Sequence, residues 1–118
     1  MKILMSVSNY SVTLEGAWVV KSVKDVDDAI SIAISEAGKR INPKLDFVEM
    51  SIGHTLCPSC GESLDSVFLI GRTALVGLTF ELKIFDVENE GHAVKIAKSM
   101  VGNALKTIPL SLLHVEPA

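Results

Sequence analysis

The chain from Ser11 to Lys21 alternates Val12, Leu14, Gly16, Trp18 and Val20 against Thr13, Glu15 and Ala17. A period of two is the signature of a strand buried on one face only. The pattern then changes to a helical stripe: Val26, Ala29, Ile30, Ala33, Ile34, Ala37 and Ile41. Asp25 is placed to cap that helix, and Asp28 lies in its first turn, where negative charge is favourable. Asn42-Pro43 stops it, since proline cannot continue a helix. Leu45 to Ile52 reads as a second strand.

The second half repeats the plan. Leu78, Phe80, Leu82 and Ile84 alternate with Thr79, Glu81 and Lys83 in a long strand, Asn89 is a cap, and Ala93, Ile96, Ala97, Met100, Val101, Ala104 and Leu105 form a second stripe. Pro109 punctuates and Leu110 to Glu116 closes the chain as a strand. The helical stretches align at an offset of 64 residues, Ala29 with Ala93, Ala33 with Ala97 and Gly38 with Gly102. The flanking strands align less well and need a small gap.

These patterns predict strands near 10–21, 45–53, 75–87 and 110–116, and helices near 25–41 and 90–106. The expected fold class is α+β: a ferredoxin-like duplicated β-α-β sandwich, both helices on one face of an antiparallel sheet, with right-handed crossovers. A single domain spans 1–118, its halves at about 10–53 and 75–116. An inserted Cys-x-x-Cys knuckle at about 54–71 separates them and includes a short apolar strand, Val67 to Ile70.

Composition narrows the class. A chain of 118 residues, 48% hydrophobic, can bury a core without staples. Mean hydropathy of +0.40 is high, yet no apolar run approaches the roughly 18–20 residues of a spanning helix. The segment Met1 to Val7 lacks the pattern of a signal peptide. The expectation is a cytoplasmic protein that neither spans a membrane nor is secreted. A net charge of −3 provides no basic footprint for nucleic acid or acidic lipid.

The most specific chemical signal is Cys57-Pro58-Ser59-Cys60-Gly61. Two thiolates two residues apart can chelate one tetrahedral ion, and a following glycine lets the backbone turn beneath the sulfurs. A structural zinc site needs four ligands. His54, three residues before Cys57, can join Cys57 and Cys60, with His92, His114, Glu62 or Asp65 as a fourth. Alternatively, the knuckles of two subunits share one ion through four thiolates. Zinc is therefore the candidate cofactor. Redox chemistry is a second reading and unligated turn cysteines a third. The redox reading is disfavoured because Gly61 to Asp65 does not begin an amphipathic helix, and Glu62 and Asp65 oppose a thiolate.

Other clusters read more plainly. Glu15, Glu81, Lys83 and His114 fall on the strand face away from the helices, either as an acid–base site or as a solvated face with cross-strand pairs, the second being the commoner outcome. Leu110 and Leu112 are expected on that same face and hint at a sheet-to-sheet dimer. Lys39-Arg40 and Gly71-Arg72-Thr73 can attract an anion, but no glycine-rich phosphate loop is present. His92 is expected at the surface and Trp18 in the core.

Four stretches together carry a resemblance: Thr13-Leu14-Glu15-Gly16-Ala17-Trp18, Ala33 to Arg40, Cys57-Pro58-Ser59-Cys60-Gly61, and Thr73-Ala74-Leu75-Val76-Gly77-Leu78. The chain resembles the archaeal uncharacterised protein family 0212 from about Asn9 to Glu116. That resemblance implies an archaeal cytoplasmic origin and a shared cysteine knuckle, and supplies no catalytic residues. The leading functional reading is a zinc-binding or interaction module acting as a homo-oligomer, most simply a dimer. Two alternatives stand beside it. One is an enzyme, either a Cys57/Cys60 dithiol oxidoreductase or a small-molecule enzyme with an interface site. The other is a ligand-sensing regulatory module.

Overall fold

Alternation along the two longest strands sets the frame. In the computed structural model, which describes residues 8–41, 48–56, 58–106 and 108–118, β1 runs Ser8–Lys21 and β6 runs Thr73–Val87. They pair antiparallel along nearly their whole length, Leu14 opposite Phe80 and Trp18 opposite Val76. Because facing residues project to the same side, the even-numbered residues of both strands make one apolar surface. Helices α1 (Val26–Ile41) and α2 (Glu90–Leu105) cover that surface. They seat Ala29, Ala33, Ala37, Ala93, Ala97 and Val101, all buried, against Val12, Leu14, Leu78, Phe80 and Leu82. Alanines along the helix stripes let both backbones approach the sheet closely.

The remaining strands complete a sheet of order β2-β6-β1-β7. Strand β7 (Leu110–Pro117) lies antiparallel to β1, and β2 (Glu49–Ile52) lies antiparallel to β6. A fifth strand, β5 (Val67–Ile70), shares the outer edge of β6 with β2, pairing residues 73–76 where β2 pairs 78–81. Between β2 and β5 the chain makes a hairpin of β3 (His54–Leu56) and β4 (Ser63–Asp65), and all residues of these two strands are exposed. The expected strand start at Leu45 and the Asn42-Pro43 stop lie outside the described residues.

Each helix is entered in the same way. Ser22, just after β1, and Asp86, one residue before the end of β6, have φ of 60° and 56°, left-handed values uncommon for residues other than glycine. Val23 and Val87 then turn into the core. Asp25 and Asn89 cap the helices: Asp25 Oδ1 accepts from the Asp28 amide at 2.8 Å, and Asn89 Oδ1 accepts from the His92 amide at 2.9 Å. Both helices have 16 residues. Every one of these features recurs at the same 64-residue offset.

The last strand differs from its sequence reading. Thr13 faces His114, but Leu14 faces Leu112 and Gly16 faces Leu110. One residue of β1 is therefore matched by two of β7, a bulge that takes up Leu113. The extra residue reverses the parity of the strand. His114 stays on the bare face, whereas Leu110 and Leu112 lie on the helix-covered side, and Leu110 packs against the core. The expected apolar contribution of Leu110 and Leu112 to the bare face is thereby overturned.

Candidate functional site

The hairpin that carries the cysteine turn is fixed at its base by three main-chain bonds. Gly53 N donates to Gly77 O at 2.8 Å, Ser66 N to Gly53 O at 2.8 Å, and Gly77 N to Ser66 O at 2.7 Å. A Cβ at Gly77 would stand 2.8 Å from Ser66 Cβ, so the crossing closes only over glycine. Thr55 and Ser66 add a hydroxyl bond of 2.7 Å beside it. The three exposed pairs of β3 and β4 contribute no core, and this junction is what aims the hairpin.

At the far end, Pro58 to Cys60 form the turn and Cys60 is exposed. Gly61 takes φ of 74° with open space around it, so the chain reverses there at no steric cost. Beyond Cys60 the chain runs into strand β4, leaving no helix terminus to stabilise a thiolate. Cys57 lies outside the described residues. His54 faces Asp65 across the first rung of the hairpin, Nε2 to Oδ1 at 3.4 Å. Among the described residues, no group of three or more His, Cys, Asp or Glu side chains could hold a metal ion.

The bare face of the sheet carries two zones. In one, Thr13 separates His114 from Glu81, putting those side chains two strands, roughly 10 Å, apart. His114 instead meets Glu116 at 2.9 Å, and Glu81 accepts from the Ser11 hydroxyl at 3.3 Å. Glu49 stands directly opposite Glu81. No proton relay joins Glu15, Glu81, Lys83 and His114, and these groups form a solvated surface. His92 is also exposed, with its amide rather than its ring engaged.

The second zone is apolar and begins where β5 joins the sheet. Val19, Leu75 and Phe68 form one row across three strands, with Ile70 beside them. They are 55%, 42%, 70% and 82% exposed respectively. Side chains of this size rarely stand together unprotected on a monomer. Sequence reading missed this zone because Val67–Ile70 falls in the insertion, and its pairing with β6 is a tertiary fact.

A third arrangement joins the strand and helix layers. Trp18 is nearly buried, and its indole Nε1 donates to Glu36 Oε1 at 2.9 Å. The Arg40 guanidinium lies 5.2 Å from the Trp18 ring centre, and Arg40 Nη1 donates to the Leu105 carbonyl at 2.9 Å. The four-residue spacing of Glu36 and Arg40 on α1 was visible in the sequence; their meeting at Trp18 was not.

Fold and site together define a small protein of two helices on an antiparallel sheet, with an exposed cysteine-bearing hairpin. The chain belongs to the family described as "Protein of unknown function (DUF555)", whose model matches residues 10–118. Relatives described as UPF0212 proteins occur in archaea. One from Methanocella arvoryzae is 52% identical, covering 93% of this chain and 97% of its own length. One from Halobacterium salinarum is 53% identical, covering 92% and 90%. One from Methanococcus maripaludis is 49% identical, covering 91% and 96%. No solved structure matches the chain. Among the described residues, no helix is long and apolar enough to cross a membrane.

Proposed function

We propose that the chain is a cytoplasmic interaction module: a ferredoxin-like duplicated β-α-β sandwich that pairs with a second copy and carries a zinc knuckle. The strand order β2-β6-β1-β7 and the repetition of turn, buried valine, cap and 16-residue helix support the duplicated fold. The observation that carries the interaction reading is the exposed apolar row of Val19, Leu75 and Phe68.

A second copy fits that row better than an unrelated surface would. Next to the large row lies a small one, Ala17 on β1 and Gly77 on β6, and Glu15 lies one row further on. A twofold axis between the large and small rows sets Val19 over the partner's Ala17. It also sets Lys21, at the tip of β1, toward the partner's Glu15. Size and charge are thus complementary under one rotation, which is what a closed twofold pair requires.

The knuckle supplies soft donors suited to zinc. Cys57 and Cys60 are the two thiolates, and Gly61 is already in the left-handed turn that lets sulfurs converge. His54 can be a third ligand, with Asp65 as the carboxylate that orients its ring. The competing arrangement shares the ion between the knuckles of two copies. Metal analysis of anaerobically purified protein, with its mass in solution, tests both. One zinc per two chains, with dimers that separate under chelation, supports the shared site; one per chain supports completion by His54. Cys60→Ser is expected to abolish bound zinc and lower the melting temperature by about 5 °C or more. Metal-free, monomeric protein with slowly reacting thiols would sink the proposal.

A further inference from the structure

We propose that the groove between the open edge of β1 and the last turn of α1 binds a small carboxylate or phosphate anion through Lys39 and Arg40. Strand β7 covers the edge of β1 only from Tyr10 to Gly16. Beyond Gly16, the side of β1 away from β6 faces a cavity of about 600 Å³. Ala17, Val19 and Ile108 give it apolar walls, and Glu36, Lys39 and Arg40 supply its charge. That volume lies within the range of small-molecule pockets.

The charges in the groove are unequal. Glu36 is engaged by the Trp18 indole N–H. Among the described residues, neither Lys39 nor Arg40 forms an ion pair with a carboxylate. Arg40 is held in place by the Trp18 ring on one side and the Leu105 carbonyl on the other. One Nη1 bond leaves most of the five guanidinium donors uncommitted. A fixed guanidinium fork beside a lysine matches the planar oxygens of a carboxylate or the oxygens of a phosphate.

The second half of the chain shows that packing alone does not require these groups. At the 64-residue offset, Trp18, Glu36 and Arg40 correspond to Leu82, Met100 and Ala104. Leu82 and Ala104 are buried, and the contact between β6 and α2 closes with aliphatic side chains. The first half departs from this arrangement where its strand edge is uncovered. An aromatic ring, an anchored arginine and a second cation stand together at this opening.

Trp18 is the single tryptophan, so its emission reports directly on the groove. The full-length protein is titrated with citrate and, separately, with inorganic pyrophosphate, in a background of chloride near physiological strength. The expected result is a saturable change in emission with half-saturation below about 1 mM for at least one probe. The stronger probe tells a carboxylate ligand from a phosphate one. Lys39→Gln, which leaves the Trp18 contacts intact, should raise half-saturation by about tenfold. Arg40→Lys keeps the charge but not the fork, and calorimetry should show a comparable weakening. Absence of saturation with both probes, or an unchanged response in Lys39→Gln, overturns the proposal. The groove shares Ala17 and Val19 with the pairing row, so the titration is repeated on Cys60→Ser and on Phe68→Glu. A response retained in both is the expected result and separates the site from zinc and self-pairing; its loss in either overturns a site built within one chain.

Discussion

Replacing Phe80 by alanine should lower the free energy of unfolding by about 3–5 kcal/mol, the range for deleting a fully buried aromatic side chain. Phe80 is the largest side chain with no exposed surface, lying at the middle of β6 between Leu14 of β1 and Met50 of β2. Its ring belongs to the buried cluster between sheet and helices, so the vacated volume cannot be closed by moving one loop. Domains of this size have roughly 5–15 kcal/mol in total, which puts the variant near the threshold of folding at growth temperature. Urea unfolding at a fixed chain concentration is the suitable measurement, because any self-association adds to apparent stability. The midpoint should fall with little change in slope. A loss below about 1.5 kcal/mol would show that the sheet is not packed around this residue.

Phe68→Glu should convert a dimer to monomers while leaving the monomer fold almost untouched. With 70% of its surface exposed, Phe68 contributes little inside one chain, and surface substitutions of this kind usually change stability by no more than about 0.5 kcal/mol. In a sheet-to-sheet contact the same change buries a carboxylate without a partner. A hundredfold or larger rise in the dimer dissociation constant is expected, equivalent to about 2.8 kcal/mol. Leu112→Glu is the informative control. The bulge at Leu113 sets Leu112 opposite Leu14, on the helix-covered side, so dimerisation should survive that substitution. Sedimentation of the three proteins at micromolar concentration decides the matter. A wild-type monomer, or a Phe68→Glu dimer, would remove the self-pairing surface.

Where the sequence spoke clearly, a repeating physical demand stood behind it. The even-numbered positions from Val12 to Val20 and from Leu78 to Ile84 had to be apolar because one face of each strand is buried. The helix starts were readable because Asp25 and Asn89 satisfy free amides locally. The reversal at Gly61 was readable too, since a φ of 74° suits glycine. The hairpin strands were not, because His54 to Leu56 and Ser63 to Asp65 bury neither face and so carry no alternation. The face of Leu110 and Leu112 was misread for a different reason: nothing in the residue types marks Leu113 as the extra one. The Trp18–Glu36–Arg40 arrangement escaped because its members meet only after α1 folds back over β1.

The two halves are interleaved in space. Strands β1 and β2 of the first half are not paired with each other, and neither are β6 and β7 of the second; the pairs β1–β6, β1–β7 and β2–β6 all join one half to the other. Even the shortest link between the two long strands, Lys21 with Thr73, closes across the whole of α1, β2 and the cysteine hairpin. Neither half is therefore a folding unit. Loop closure must precede any reward from the main sheet, which makes the first steps slow. As the chain leaves the ribosome, β1 presents Val12, Leu14 and Trp18 with only α1 to shelter them until β6 has been synthesised. During that interval the nascent chain is open to pairing with the β6 of a neighbouring copy, which would exchange halves between chains along the same strand contacts that build the monomer.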